Sequence, residues 1–283
     1  MANEIGQTEV TAASQALVAN VVQTVLKQKS ILMGTVDDYS KFAVKGSKSV
    51  SVPKRTQYAA ADKSENTDLT SQVLTYSVDT IALDKHKAIY SKLERIAGAQ
   101  ANVDVASDIL LESAAELALQ IDKDIITQLK LISTSAPDHW LDYVDTAGNA
   151  LAIADIVNAR KLLNKQNVPL DNRFMVISPD KEADMLNITN FIQAQNYGSN
   201  QPLINGEIGR VMGFTVLVHN SLSALDSLFY HKSHCGFAMQ IQPEFATMFQ
   251  LASVSDEFLL HQLYGTKVMS AGIRGVYLDG AGV

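Results

Sequence analysis

His231-Lys232-Ser233-His234 is the stretch whose spacing comes nearest to a metal site. Two imidazoles three residues apart can share an ion when a third ligand arrives from elsewhere in the fold. Lys232 places a positive charge between them and no carboxylate stands beside them, so the pair reads as structural. Cys235 directly follows His234. Adjacent strand residues point to opposite faces, which argues against a Cys–His nucleophile there. Asp122 and Asp124 sit two apart in a helical stretch, about 200° around the axis, so they cannot share a proton as catalytic pairs do. Each is expected to pair with a lysine or with a neighbouring subunit. Gly206, Gly209 and Gly213 lead into a strand, whereas a dinucleotide-binding GxGxxG opens a helix. GxxxxGK[ST], HExxH and GxSxG do not occur. His219, His261 and Trp140 stand alone and receive no role. The expectation is therefore no catalytic set, no metal site and no cofactor, which leaves the HxxH pair as the best foothold for an enzyme.

The chemistry that remains is charge. Lys45, Lys48, Lys54 and Arg55 form one basic set, and Asp104, Asp108, Glu112 and Glu116 recur every four residues as an acidic stripe on a helix. Either set alone is an ordinary solvated face.

The elements that carry these sets follow from periodicity. Val18, Val21, Val22 and Val25 have helical spacing and mark an N-terminal arm whose apolar face needs a partner. From Lys41 to Tyr58 the period falls to two, and Pro53 assigns that strand to an edge. A polar stretch over 59–72 separates it from a second alternating run at Leu74, Tyr76 and Val78, so two strands flank a long polar tip. A lone two-stranded ribbon is marginal in water, which means this one must lie on something else. Residues 104–132 give the clearest helix, with Asp104 as N-cap and Leu110, Ala114, Leu117, Ile121, Ile125, Leu129 and Ile132 on one face. After a loop at Pro137, a helix runs from Ile153 towards Asn167, followed by a buried strand at 174–177 and a helix start at Ser178-Pro179-Asp180. Further strands are expected at 214–218, 228–230, 236–241 and 267–278. This is an α+β chain without the regular alternation of a doubly wound sheet.

Composition narrows the class. In 283 residues, Lys plus Arg number 23 and Asp plus Glu 30, or 19 % charged, against a globular norm of about 25 %. Such a surface suits a chain covered by its own copies. The net charge of −7 argues against gripping nucleic acid through phosphates, which needs clustered Lys and Arg. The single cysteine permits no internal disulfide. No basic–apolar leader and no run of apolar residues long enough for a membrane span is present, so no membrane association is expected.

The order of pieces, together with 118–124 (ALQIDKD), 153–168, 173–179 (RFMVISP) and 205–216 (NGEIGRVMGFTV), resembles the major capsid proteins of tailed bacteriophages with the Hong Kong 97-type fold, over essentially the whole chain. The resemblance implies an N-terminal arm (1–38) and an extended β-hairpin loop (39–90). It also implies a peripheral domain (91–148 with 236–270) containing a spine helix at 104–131, and an axial domain (149–235 with 271–283).

It further implies self-assembly into hexamers and pentamers of an icosahedral shell that encloses double-stranded DNA without sequence-specific binding, built in the host cytoplasm and residing in the virion. Implied partners are the chain itself, a portal at one vertex, a possible decoration protein and, if the sequence is an unprocessed product, a separate scaffolding protein. A loop-Lys-to-Asn cross-link cannot be matched and is not carried over. An encapsulin-like nanocompartment shell is the alternative within the fold, and a decoration or adaptor protein the alternative outside it. Within the shell reading, Lys45, Lys48, Lys54 and Arg55 of one copy are expected to meet Asp104, Asp108, Glu112 and Glu116 of the next.

Overall fold

The computed structural model describes residues 30–56, 58–100, 105–134, 138–145, 148–188 and 209–280. The arm helix expected at 10–28 and Asp104 lie outside them. In chain order the elements are β1 (Asp37–Asp38), β2 (Ser49–Arg55), β3 (Tyr76–Ala82), β4 (Lys85–Glu94), α1 (Arg95–Gln100), α2 (Val105–Leu129), β5 (Trp140–Leu141) and α3 (Ile153–Lys165). There follow β6 (Arg173–Ile177), α4 (Pro179–Asn187), β7 (Arg210–Val211), β8 (Phe214–Val218), β9 (Ser227–His231), β10 (Cys235–Gln250), β11 (Ser255–Val268) and β12 (Gly275–Leu278).

Two sheets and a ribbon organise the molecule: β1-β10-β11-β4, β5-β12-β9-β6-β8-β7, and β2-β3. The six-stranded sheet is buried on both faces, and the period of two shows how. Met175 and Ile177 of β6, Phe229 of β9, and Val276 and Leu278 of β12 pack with Ile156, Ala159 and Leu163 of α3 and Met185 of α4. Their alternates Val176, Leu228 and Tyr230 pack with Ile121, Ile125, Ile126 and Leu129 of α2. The sheet thus lies between the α3/α4 layer and the long helix. Ser178 caps α4 by accepting from Lys181 N, as the Ser-Pro-Asp sequence anticipates.

Helix α2 has 25 residues and spans roughly 37 Å. Leu117, Ile121, Ile125 and Leu129 are buried as expected and Ile126 joins them, whereas Leu110 and Ile132 are half-buried and Ala114 is exposed. Its C-terminus is tied to the sheet by Lys130, whose Nζ donates to Asp226 at 2.5 Å.

β10 runs far beyond the stretch expected at 236–241, and the strand expected at 267–278 is divided by a turn at Ser270–Gly272 into the end of β11 and β12; β10 and β11 form a long antiparallel hairpin with β4 on its outer edge. Pro243 falls where the β10–β11 register shifts between Ile241 and Glu244, so its missing N–H costs no ladder bond. The expected boundaries at 90 and 148 are both crossed by pairing: β4 joins β11, and β5 joins β12 of the six-stranded sheet. Among the described residues no helix is long and apolar enough to cross a membrane.

Candidate inter-subunit interface

The ribbon is rooted and then left bare. Val50, Ile81 and Leu83 pack with Ala43, Ala238 and Met269 over the β10–β11 hairpin. Close approach is possible because β11 carries Gly265 beneath the Ala82 carbonyl, and β10 carries Gly236 against Met269 and Ile81. Beyond this root, β2 and β3 stay in register from Ser49↔Ala82 to Arg55↔Tyr76. The chain then continues as two exposed segments without regular secondary structure, held by their own polar groups. Thr56 N donates to Thr75 O at 3.0 Å, and Ala59 N donates to Gln72 Oε1 at 3.0 Å. Tyr58, Leu69, Val73, Tyr76 and Val78 are exposed along it, Val73 at 79 %. Apolar side chains on a ribbon with no second layer are a surface awaiting a partner.

Lys45, Lys48, Lys54 and Arg55 are all exposed. On α2, Asp108 and Glu112 are exposed, while Glu116 is half-buried and accepts from Lys123 Nζ at 3.4 Å. Among the described residues no ion pair joins the loop cations to the acidic stripe. The lysines that do reach the helix come from β4: Lys85 and Lys87 lie 3.5 and 3.9 Å from Asp124, to which Tyr264 also donates at 2.6 Å. Asp124 therefore finds lysines, as expected. Asp122 does not. It is fully buried and accepts from Ser30 Oγ, the N–H groups of Ile31 and Leu32, and His219.

The remaining chemical candidates resolve into structural contacts. His231 Nδ1 bonds Ser233, and buried His234 turns Nε2 to Leu129 O. Burial lowers the His234 pKa to about 4, which keeps the ring neutral at pH 7. Burial pushes the Cys235 thiol up to about 12, which makes it inert. Gly213 and Met212 both have positive φ, at 88° and 46°, in the two-residue turn between β7 and β8, so this glycine serves a hairpin and not a phosphate. Among the described residues no three His, Cys, Asp or Glu side chains converge as a metal site would need.

A second exposed apolar surface was not foreseen. At the far end of the β10–β11 hairpin, Met248, Leu251 and Val254 are exposed, as is Ile96 of α1. Phe245 stacks on Phe258 there, and Arg95 lies over Phe249 while pairing with Asp256. The period-two apolar pattern of β10 is interrupted by its register shifts, which concealed this tip in the sequence.

Comparisons with known proteins follow the geometry. The profile of the phage capsid protein family matches residues 59–243. Comparison with curated protein sequences returns no match. Among solved structures, one from Mycobacterium phage Che8 superposes with a TM-score of 0.75 at 21 % identity, covering 95 % of this chain and 99 % of that one. The capsid of cyanophage Pam1 superposes at 0.77 with 11 % identity, covering 96 % and 98 %. The capsid of a native GTA particle superposes at 0.69 with 15 % identity, covering 99 % of each. The shared fold is the Hong Kong 97-type capsid fold.

Proposed function

The chain belongs to the phage capsid protein family, a structural component of the phage head and not an enzyme, and from this premise we propose that it is the subunit that tiles an icosahedral shell as hexamers and pentamers around double-stranded DNA. The observation that supports this reading best is the bare ribbon: its root is packed, its distal half exposes apolar side chains, and its four cations are exposed and in no ion pair among the described residues. A monomer gains nothing from such a projection, whereas in a shell each copy covers the next and buries it. Obligate interfaces of this kind run to roughly 2,000 Å² or more.

In this arrangement Lys45, Lys48, Lys54 and Arg55 of one copy face Asp104, Asp108, Glu112 and Glu116 of its neighbour. The β10–β11 hairpin with α2 forms the peripheral domain, the six-stranded sheet with α3 and α4 the axial domain. A net charge of −7 suits a container that must not hold its polyanion tightly. A portal at one vertex, a scaffolding protein and a decoration protein complete the proposed set of partners. The test is the content of purified particles: nuclease-protected double-stranded DNA supports the reading, while a co-purifying enzyme in place of DNA assigns the shell to a cargo compartment.

A further inference from the structure

Asp122 is fully buried on the apolar face of α2, between Ile121 and Ile125. A buried carboxylate is costly unless every lone pair is used, and an apolar residue of similar volume generally packs more cheaply. Here the carboxylate is fully used. Oδ1 accepts from Ser30 Oγ at 2.9 Å and from Leu32 N at 3.3 Å. Oδ2 accepts from Ile31 N at 2.9 Å and lies 3.3 Å from His219 Nε2. Ser221 N donates to His219 Nδ1 at 3.1 Å, which leaves Nε2 to carry the proton directed at Asp122. His219 N in turn donates to Ile177 O at the end of β6. One side chain thus joins the long helix, the six-stranded sheet and residues 30–32.

Residues 30–32 have no strand of their own; among the described residues the first ladder contact is at Asp37. Leu32 is buried among the α2 residues, but apolar burial is non-directional, so it holds the segment without orienting it. Hydrogen bonds are directional, and Asp122 takes the two consecutive N–H groups and the hydroxyl that together fix how the backbone runs at this point.

We propose that Asp122 is a positioning residue for assembly: it fixes the course of residues 30–32 against the long helix and the six-stranded sheet, and through that the uniformity of the shell. This rests on the shell reading above. In a closed shell every copy must present the same surface to its neighbour at the same angle, and a segment 30–36 that shifts on the core gives a mixture of curvatures.

The test uses the full-length chain. Asp122→Asn keeps the side-chain shape but offers one acceptor oxygen and turns an N–H group towards donors. Amide hydrogen exchange at 31–36 should then rise about tenfold or more, with β6 and β9 still protected, and assembled particles should span several diameters where the unaltered chain gives one. Ser30→Ala, which removes a single donor at the edge of the knot, should raise the same exchange by about fivefold, and it carries the test if Asp122→Asn does not fold. Unchanged exchange at 31–36 in both variants, a loss of protection shared equally by β6 and β9, or local loosening with particles of a single diameter would each overturn the proposal. Failure of the unaltered chain to form shells would overturn the shell reading instead, and exchange would still report whether Asp122 holds the segment.

Discussion

Gly265 of β11 lies directly beneath the carbonyl of Ala82 at the end of β3, so close that a Cβ at position 265 would overlap the Ala82 oxygen. Two strands of different sheets meet there with no side chain between them, and this contact seats the projecting ribbon on the long hairpin.

Gly265→Ala should therefore act on the ribbon before it acts on the core. The β3 backbone must move, which uncouples Ile81 from Met269 and Ala238, at a cost of about 1–3 kcal/mol by the usual range for overpacking. Far-ultraviolet circular dichroism of the unassembled chain should remain native while the fraction sedimenting as particles falls sharply. Unaltered assembly would show that the close approach is incidental.

His234 makes stability depend on pH. Its ring is neutral in the folded state with a pKa near 4, against about 6.5 when unfolded. Between those values the unfolded chain binds a proton that the folded chain refuses. Stability from this group is complete above pH 6.5 and declines as pH falls towards 4, by about 1.4 kcal/mol per pH unit. His234→Gln, which can still donate towards Leu129 O, should flatten the slope of unfolding free energy against pH over that window. An identical slope in both proteins would contradict the assignment.

Asp226 is a buried carboxylate held in its charged form. Burial pushes its pKa up, but hydrogen bonds from Lys130, Tyr277 and Ser223 outweigh this and hold it below the ordinary carboxylate range. Lys130 Nζ lies at 2.5 Å, Tyr277 OH at 2.7 Å and Ser223 N at 2.9 Å. A double-mutant cycle of Asp226→Asn with Lys130→Met, read by chemical denaturation, should give a coupling of about 1–3 kcal/mol. Additive effects would mean that the long helix is not fastened to the sheet through this pair.

Charge between copies is tested by exchange of sign. Lys54→Glu with Arg55→Glu should lower particle yield, and adding Asp108→Lys with Glu112→Lys should restore part of it. An exposed pair is worth no more than about 1 kcal/mol, yet under this proposal every copy in a shell makes it, so the effect on yield is multiplied. Raising salt should weaken assembly of the unaltered chain in the same direction. Equal yields from all three chains would remove these residues from the interface.

Legibility in the sequence followed local regularity. The faces of α2 and α3, the buried strand β6 and the capped start of α4 were readable because a period of 3.6 or 2 and a Ser-Pro-Asp start are local signals. The strand β4 was hidden because Lys85, His86 and Lys87 mask its alternation, and β10 because register shifts at Ile241 and Pro243 break its period. The task of Asp122 was unreadable for another reason: its donors stand about ninety positions away on either side, and nothing about an Asp between two apolar helix positions names them. For the loop cations, Asp108 and Glu112, exposure was legible, whereas a contact between copies leaves no periodic signal in one sequence.

The most direct measurement is sedimentation of the expressed chain, with and without its candidate scaffolding partner, together with electron micrographs of the fractions. Closed shells or capsomer rings of megadalton mass are the predicted result. A well-folded species that remains monomeric under both conditions would contradict the assembly account.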